Sequence, residues 1–251
     1  MGVAVLLKQV PDTTSKVSIS GGMVDESSIT KWTISPYDEY ALENAIQLKE
    51  SGFGDVVAIT CGPARAAKCL TEAAAVGADR LIHIQTESSL DSIQVQSLLS
   101  ESVKETGCDL VMCGKQAADT NSGSTGPGLA STLGFSFVGG VTRVSMNGEL
   151  ASATRLGPSG LEEVEVGGPC VFTFDKGESE LRRPNVRGIM MAKKKPIDSL
   201  SPEDLGVDDG KSMVTTKHHS SPPEKQPGQK FVGSESVPEV VGKLREEANV
   251  I

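Results

Sequence analysis

A chain of 251 residues with net charge −9, five cysteines and few aromatic residues (one Trp, two Tyr, six Phe) excludes several classes of protein. The acidic surplus opposes broad binding to a phosphate backbone and the scarce aromatics offer no platform for stacked bases, so nucleic acid is not expected as a partner. The odd cysteine count without a C-x-x-C pair predicts reduced thiols, three histidines make no zinc set, and no run approaches the roughly 20 apolar residues of a membrane span.

Residues 3–7 open the chain as a short apolar run with no charged leader before it, which predicts a soluble cytoplasmic protein without membrane insertion. The mitochondrial matrix is the alternative compartment. Residues 56–60, 81–85 and 110–113 repeat the apolar pattern, bounded by Gly or Asp, as strands buried on both faces do. Val17-Ser18-Ile19 and Met23-Val24-Asp25 flank Gly21-Gly22 and predict an early β-hairpin.

Ser35-Pro36-Tyr37-Asp38 predicts a helix start, with Ser35 as N-cap, Pro36 at the first helical position and an acid at the third. Ala41, Leu42, Ala45, Ile46 and Leu48 supply its apolar face, and Gly52 ends it. Two more helices are expected over residues 63–76, stopped by Gly77, and 89–105, stopped by Gly107. Strand–helix alternation of this kind predicts an α/β fold built on a doubly wound, mostly parallel, Rossmann-like sheet.

Beyond residue 140 the texture changes. Residues 141–146 and 150–155 predict a second hairpin with a type I′ turn at Asn147-Gly148, and residues 164–166 and 171–174 keep β character. Pro, Ser, Asp and Lys dominate from about Pro196 to Gly233, too poor in apolar residues to fold alone. The chain then ends in an amphipathic stretch, residues 237–247, with Val240, Val241 and Leu244 on one side. The expected organisation is a nucleotide-binding α/β domain over residues 1–195 and an extended C-terminal arm over residues 196–251. Its last helix packs on a partner or folds back on its own domain.

The stretch richest in chemistry begins at the end of the fourth run with Cys113-Gly114-Lys115-Gln116-Ala117-Ala118 and continues through Asp119, Thr120, Asn121, Ser122, Gly123, Ser124, Thr125, Gly126, Pro127 and Gly128 into Leu129 and Ala130. A loop between strand and helix lies at the carboxyl edge of the sheet, where glycines admit a ligand and a helix N-terminus offers N–H groups to an anion. It has neither P-loop order nor a G-x-G-x-x-G fingerprint, and a plain Gly/Ser connector is the competing reading. Cys61-Gly62-Pro63 and Ser35-Pro36-Tyr37-Asp38 converge on the same edge, which would complete an adenosine-sized pocket. No nucleophile–base–acid set accompanies it. Cys61 lacks an activating base and His83 alternates within a strand. Glu162, Glu163 and Glu165 read as a solvated strand edge, and Lys193, Lys194 and Lys195 as a solvated basic run.

Lys8-Gln9-Val10-Pro11-Asp12, Ser35-Pro36-Tyr37-Asp38-Glu39, Cys61-Gly62-Pro63-Ala64, Gly77-Ala78-Asp79-Arg80, Gly114-Lys115-Gln116-Ala117 and Ile189-Met190-Met191-Ala192-Lys193-Lys194-Lys195 together resemble the electron transfer flavoprotein β subunit, in order and spacing. The likeness runs from residue 2 to about Asp208. It implies an electron carrier rather than an enzyme: a heterodimer whose α subunit holds the redox-active FAD, with an AMP buried in this chain. Flavin dehydrogenases would be the electron donors and a membrane quinone oxidoreductase the acceptor. Carried over by position, the AMP contacts are Leu6, Ser35, Pro36, Tyr37, Asp38, Cys61 and residues 119–130.

The resemblance further implies a partner-docking segment made of Arg183, Pro184, Asn185, Val186, Arg187, Gly188, Ile189, Met190, Met191 and Ala192. Val186 stands where the family carries an anchoring leucine, a loss of one methylene worth about 1 kcal/mol, which tunes docking. Thr13 stands where some members set an aromatic ring against the α-bound flavin. A bifurcating branch holds a second FAD in place of AMP. Gly126-Pro127 agrees with that branch, while Thr120, Ser124 and Thr125 do not, so both cofactors stay open. The rival from another class is a stand-alone nucleotide-sensing α/β domain, which would use Asp119 as its metal-binding acid.

Overall fold

Each apolar run of the first half forms a strand, and the helices between them bury their aliphatic faces on the resulting sheet. The computed structural model describes residues 2–87, 90–207, 212–224 and 227–251; Ser89 and Asp208, which bound two of the expectations above, lie outside the described residues. In chain order come β1 (Gly2–Leu6), β2 (Gln9–Pro11), the small hairpin β3 (Ile19–Ser20) and β4 (Met23–Val24), β5 (Trp32–Ile34) and α1 (Pro36–Glu50). Then follow β6 (Asp55–Gly62), α2 (Ala67–Val76), β7 (Arg80–Gln85), α3 (Ser92–Thr106), β8 (Leu110–Gly114) and α4 (Thr125–Leu133). The second half holds β9 (Ser136–Asn147), β10 (Leu150–Gly157), β11 (Gly160–Gly167), β12 (Cys170–Phe174), α5 (Val186–Ala192), β13 (Asp198–Leu200) and α6 (Val237–Glu246).

The main sheet has nine strands in the order β11-β10-β9-β12-β8-β1-β6-β7-β13. From β9 through β13 every neighbouring pair is parallel, while β10 and β11 add an antiparallel meander. The chain steps outward from β1 through β6 to β7, then crosses back to β8 on the other side of β1 and on to β12. That reversal is the doubly wound arrangement, and it opens a crevice at the carboxyl ends of β1 and β8.

Alternate strand residues feed two cores. Val3, Val5, Val56, Ala58 and Leu81 pack under α1 and α2, whereas Ala4, Leu6, Val57, Ile59 and Ile82 pack under α3 and α4. Three layers result, with both faces of the parallel strands dry.

Three local expectations need correction. Ser35 sits at the N-cap of α1 but makes no capping bond; its hydroxyl is buried with no partner among the described residues. The helix of residues 63–76 begins as a 3-10 turn, Ala64–Ala66, before α2 proper. The β9–β10 connection is the two-residue loop Gly148-Glu149, because Asn147 pairs with Leu150. Only Gly148 has positive φ there (62°), the type II′ pattern, where type I′ needs positive φ at both positions.

The third helix starts at Ser92 behind a capping box, in which the Asp91 carboxylate accepts from the N–H groups of Ile93 and Gln94 and the Gln94 side chain returns a bond to Asp91 N–H. The described part of the arm first joins the sheet through β13 and buried Leu205. At its end α6 has no buried residue.

Candidate nucleotide-binding site

At the carboxyl ends of β1, β6 and β8 lies a cleft of about 320 Å³, within the range of small-molecule pockets. One wall is the chain leaving β1 (Leu6, Leu7, Lys8) with Cys61 from β6. The floor and opposite wall are Cys113, Gly114, Lys115, Gln116 and Ala117, with Thr120, Ser122, Gly123 and Thr125 above them. The start of α3 closes the third side with Leu90, Asp91, Ser92, Val95 and Leu99.

Asp38 holds the floor together. Its carboxylate accepts from the backbone N–H of Lys8 (2.8 Å) and of Gly114 (2.7 Å), tying the ends of β1 and β8 to the first turn of α1. Burial pushes its pKa up to about 7, and the two N–H donors pull in the other direction without cancelling it. Gly114 is required here: a Cβ would lie 2.5 Å from Tyr37 Cβ and 2.7 Å from the Asp38 carboxylate.

The glycine-rich loop is held from three sides. Lys8 Nζ pairs with Asp119 at 2.8 Å, bridging the end of β1 to the loop. Asn121 takes a left-handed conformation (φ 51°), which asparagine tolerates; its side chain accepts from Gln116 and its N–H donates to Ala117 O. Gln96 on α3 donates to Ser124 O at 2.9 Å. Ser124 is the N-cap residue of α4, yet its buried hydroxyl makes no capping bond and has no partner among the described residues. A buried orphan hydroxyl beside unsatisfied helix N–H groups is what an anionic oxygen would complete.

The residues expected from sequence therefore divide. Leu6, Asp38, Cys61, Thr120, Ser122, Gly123 and Thr125 line the cleft, and Asp119, Asn121 and Ser124 shape the loop above it. Ser35 and Pro36 lie behind the wall in the first turn of α1, and Tyr37 sits under the Lys115 ammonium at 5.0 Å. Gly126 faces the sheet, because a Cβ there would sit 2.1 Å from Thr173 Cγ2. Its missing side chain makes room for Thr173. Gly128 makes room for the Gln96 side chain, Pro127 is exposed, and Leu129 and Ala130 are core residues.

Lys8 and the start of α3 also line the cleft, and the sequence alone did not mark them as contacts. The signal for the last was the Asp91-x-x-Gln94 pattern after a strand, which puts another helix N-terminus on the same rim.

Burial pushes the Cys61 thiol up to about 12, so it stays protonated. His83 is buried with its Nε2 2.9 Å from Gly62 O. Asp119 is taken by Lys8, and no metal-binding cluster occurs among the described residues.

A second surface lies beyond α1. Asn185 caps α5 by accepting from Gly188 N–H (2.8 Å), and Gly188 passes so close to Ala75 O that a Cβ would stand 2.4 Å from it. Only Ala192 of α5 is buried. Val186, Ile189, Met190 and Met191 project outward as an apolar ridge, and Arg183, Pro184 and Arg187 are exposed beside it. Lys195, expected in a solvated run, instead donates to Ala78 O at 2.6 Å and pins the end of this segment. No described helix is long and apolar enough to cross a membrane.

Residues 23–205 match the family described as electron transfer flavoprotein domain. The chain is 36% identical to the electron transfer flavoprotein subunit beta of Bacillus subtilis, with 100% of both chains covered, and 35% identical to that of Bradyrhizobium diazoefficiens with the same coverage. It is 32% identical to the human electron transfer flavoprotein subunit beta, over 97% of this chain and 96% of the relative.

Proposed function

This chain belongs to the electron transfer flavoprotein family, and on that premise we propose that it is the β subunit of a two-chain electron carrier, holding AMP in its own cleft and helping to hold an FAD bound by an α subunit. The observation that carries the reading is the cleft at the reversal point of the sheet, where Ser122, Gly123 and Thr125 at the N-terminus of α4 meet apolar walls and the buried Ser124 hydroxyl next to them has no partner among the described residues. Leu6, Leu90, Val95 and Leu99 suit the faces of an adenine, and the hydroxyls of Thr120, Ser122 and Thr125 suit ribose and phosphate oxygens. Asp91 already fills the α3 N-terminus with a carboxylate, which leaves α4 as the end for the phosphate.

When bound to the α subunit, FAD supplies electron acceptance and donation, while this chain contributes position and electrostatics. Flavin dehydrogenases are the proposed donors, met by the α5 ridge, and a membrane quinone oxidoreductase the proposed acceptor. The arm, residues 196–251, is proposed to carry α6 onto the α subunit, where Val240, Val241 and Leu244 would be covered. The proposed compartment is the cytoplasm, or the mitochondrial matrix in a host that has one.

Acid extraction of the purified two-chain complex followed by mass spectrometry tests this. AMP at one per complex alongside one FAD is the expected result. Two FAD and no AMP would favour the bifurcating form. A colourless monomer that ignores any flavin-bearing companion would favour the nucleotide-sensing domain.

A further inference from the structure

The two oxygens of the Asp91 carboxylate do different work. Oδ1 caps α3, accepting from Ile93 N–H and Gln94 N–H at 3.0 Å each. Oδ2 faces away and accepts from Met213 N–H at 2.6 Å and from the Ser212 hydroxyl at 3.2 Å. The single Ser212 hydroxyl proton is shared with Val214 O at 2.6 Å, so the Met213 N–H is the main donor to Oδ2. A short distance along, His219 N–H donates to Gly22 O at 2.7 Å, so the arm is held again on the β3–β4 hairpin. The first anchor is on the wall of the cleft and the second on the excursion that follows β1 and β2, which topology puts on the same carboxyl side. Between these two anchors the arm is exposed, and Asp91, which holds the first, is itself a wall residue of the cleft. Met213 and Val214 are exposed, so backbone and hydroxyl bonds to Asp91, rather than burial, keep this stretch in place.

We infer that Asp91 is a positioning residue that seats the C-terminal arm on the rim of the nucleotide cleft, so that the seated arm slows departure of the bound nucleotide. The inference rests on the proposed nucleotide reading of the cleft. It links the arm that carries α6 to the occupancy of the site through one side chain.

The test uses the two-chain complex with its retained AMP. Met213→Pro combined with Ser212→Ala removes both donors to Oδ2 and leaves Asp91 and α3 intact. Asp91→Asn cuts the same seat from the other side, since asparagine keeps a capping oxygen but presents an NH2 group to the arm. Limited proteolysis reads the arm, release of AMP into dialysate reads retention, and thermal unfolding controls for α3. Both variants are expected to be cleaved faster in the arm and to lose AMP roughly three- to tenfold faster, the span of one net hydrogen bond.

The asparagine variant is the sharper arm of the test. Removing a negative charge from the wall favours an anion by itself, so faster AMP loss there has the sign opposite to simple electrostatics. Unchanged arm cleavage would overturn the seat. Faster cleavage with unchanged AMP loss would overturn the coupling. A wild-type complex that contains no nucleotide overturns the function reading itself, whereas retained nucleotide with unaltered release overturns only this inference.

Discussion

Arg182 reaches back 139 positions to Glu43 and grips one carboxylate twice, donating from its guanidinium at 2.9 Å and from its own backbone N–H at 3.0 Å. The guanidinium also pairs with Glu50. This junction fixes the start of the proposed docking segment against α1, as the Lys195 bond to Ala78 O fixes its end. Burial alone would push the Glu43 carboxyl up, yet the bonds from Arg182 and Gln47 outweigh it and hold it below its ordinary value.

Arg182→Ala would leave that nearly buried carboxylate without its cation. Allowing for the part-exposed guanidinium, the cost is about 2 kcal/mol. For a chain of this size that lowers the melting temperature by roughly 4–8 °C. Lysine at the same position should recover only part of the loss, because it cannot fork across two oxygens. A melting temperature equal to wild type would show that the junction is ornamental.

The Asp38 carboxyl titrates in an accessible range. Its folded value of about 7 lies above its ordinary 3.8, so the stability it contributes is complete below 3.8 and is lost as pH rises through about 7. Unfolding free energies measured by urea at about pH 5 and about pH 8 should fall more steeply for wild type than for Asp38→Asn, which cannot ionise. Parallel pH profiles would refute the assignment.

Gly126 offers a test by rescue. Alanine there should cost about 1–3 kcal/mol by overpacking against the Thr173 methyl, and adding Thr173→Ser, which deletes that methyl, should restore most of it. If instead the glycine serves only ligand approach, the serine change will restore nothing.

Val186, at 74% exposure, supports nothing within the chain. Val186→Asp should therefore shift stability by no more than about 0.5 kcal/mol and leave AMP and FAD content intact. Reduction of the complex by its flavin dehydrogenase should slow, by roughly tenfold if this side chain is a central anchor. Stopped-flow reduction kinetics decide it, and an unaltered rate places docking elsewhere.

What could be read from the sequence follows from where the information is local. The runs that became β1, β6, β7 and β8 announce themselves because strands buried on both faces are apolar throughout. The start of α1 was legible to the residue, but the use of its side chains was not. Ser35 holds the N-cap position but makes no side-chain cap bond, while Asp38, in the first turn, spends both oxygens on N–H groups 30 and 76 positions away. Gly126 shows the same limit. Its glycine character was visible, but the methyl that demands it belongs to Thr173, on a strand whose neighbours no local pattern reveals. The cleft wall from α3 and the edge strand β13 likewise depend on crossovers and on an arm whose composition gives no hint of pairing.

The placement of β12 has a consequence for biosynthesis. β9 through β11 are made before β12, yet the meander reaches the rest of the main sheet only through β12, which slots between β8 and β9. Without β12 the meander has no strand partner in the rest of the main sheet, although β9 still meets α1 through the Val144 N–H to Asn44 bond, and β8 keeps a bare edge. Union of the meander with the parallel strands thus waits on one five-residue strand, and a chain lacking it would leave the facing edges of β8 and β9 both unpaired.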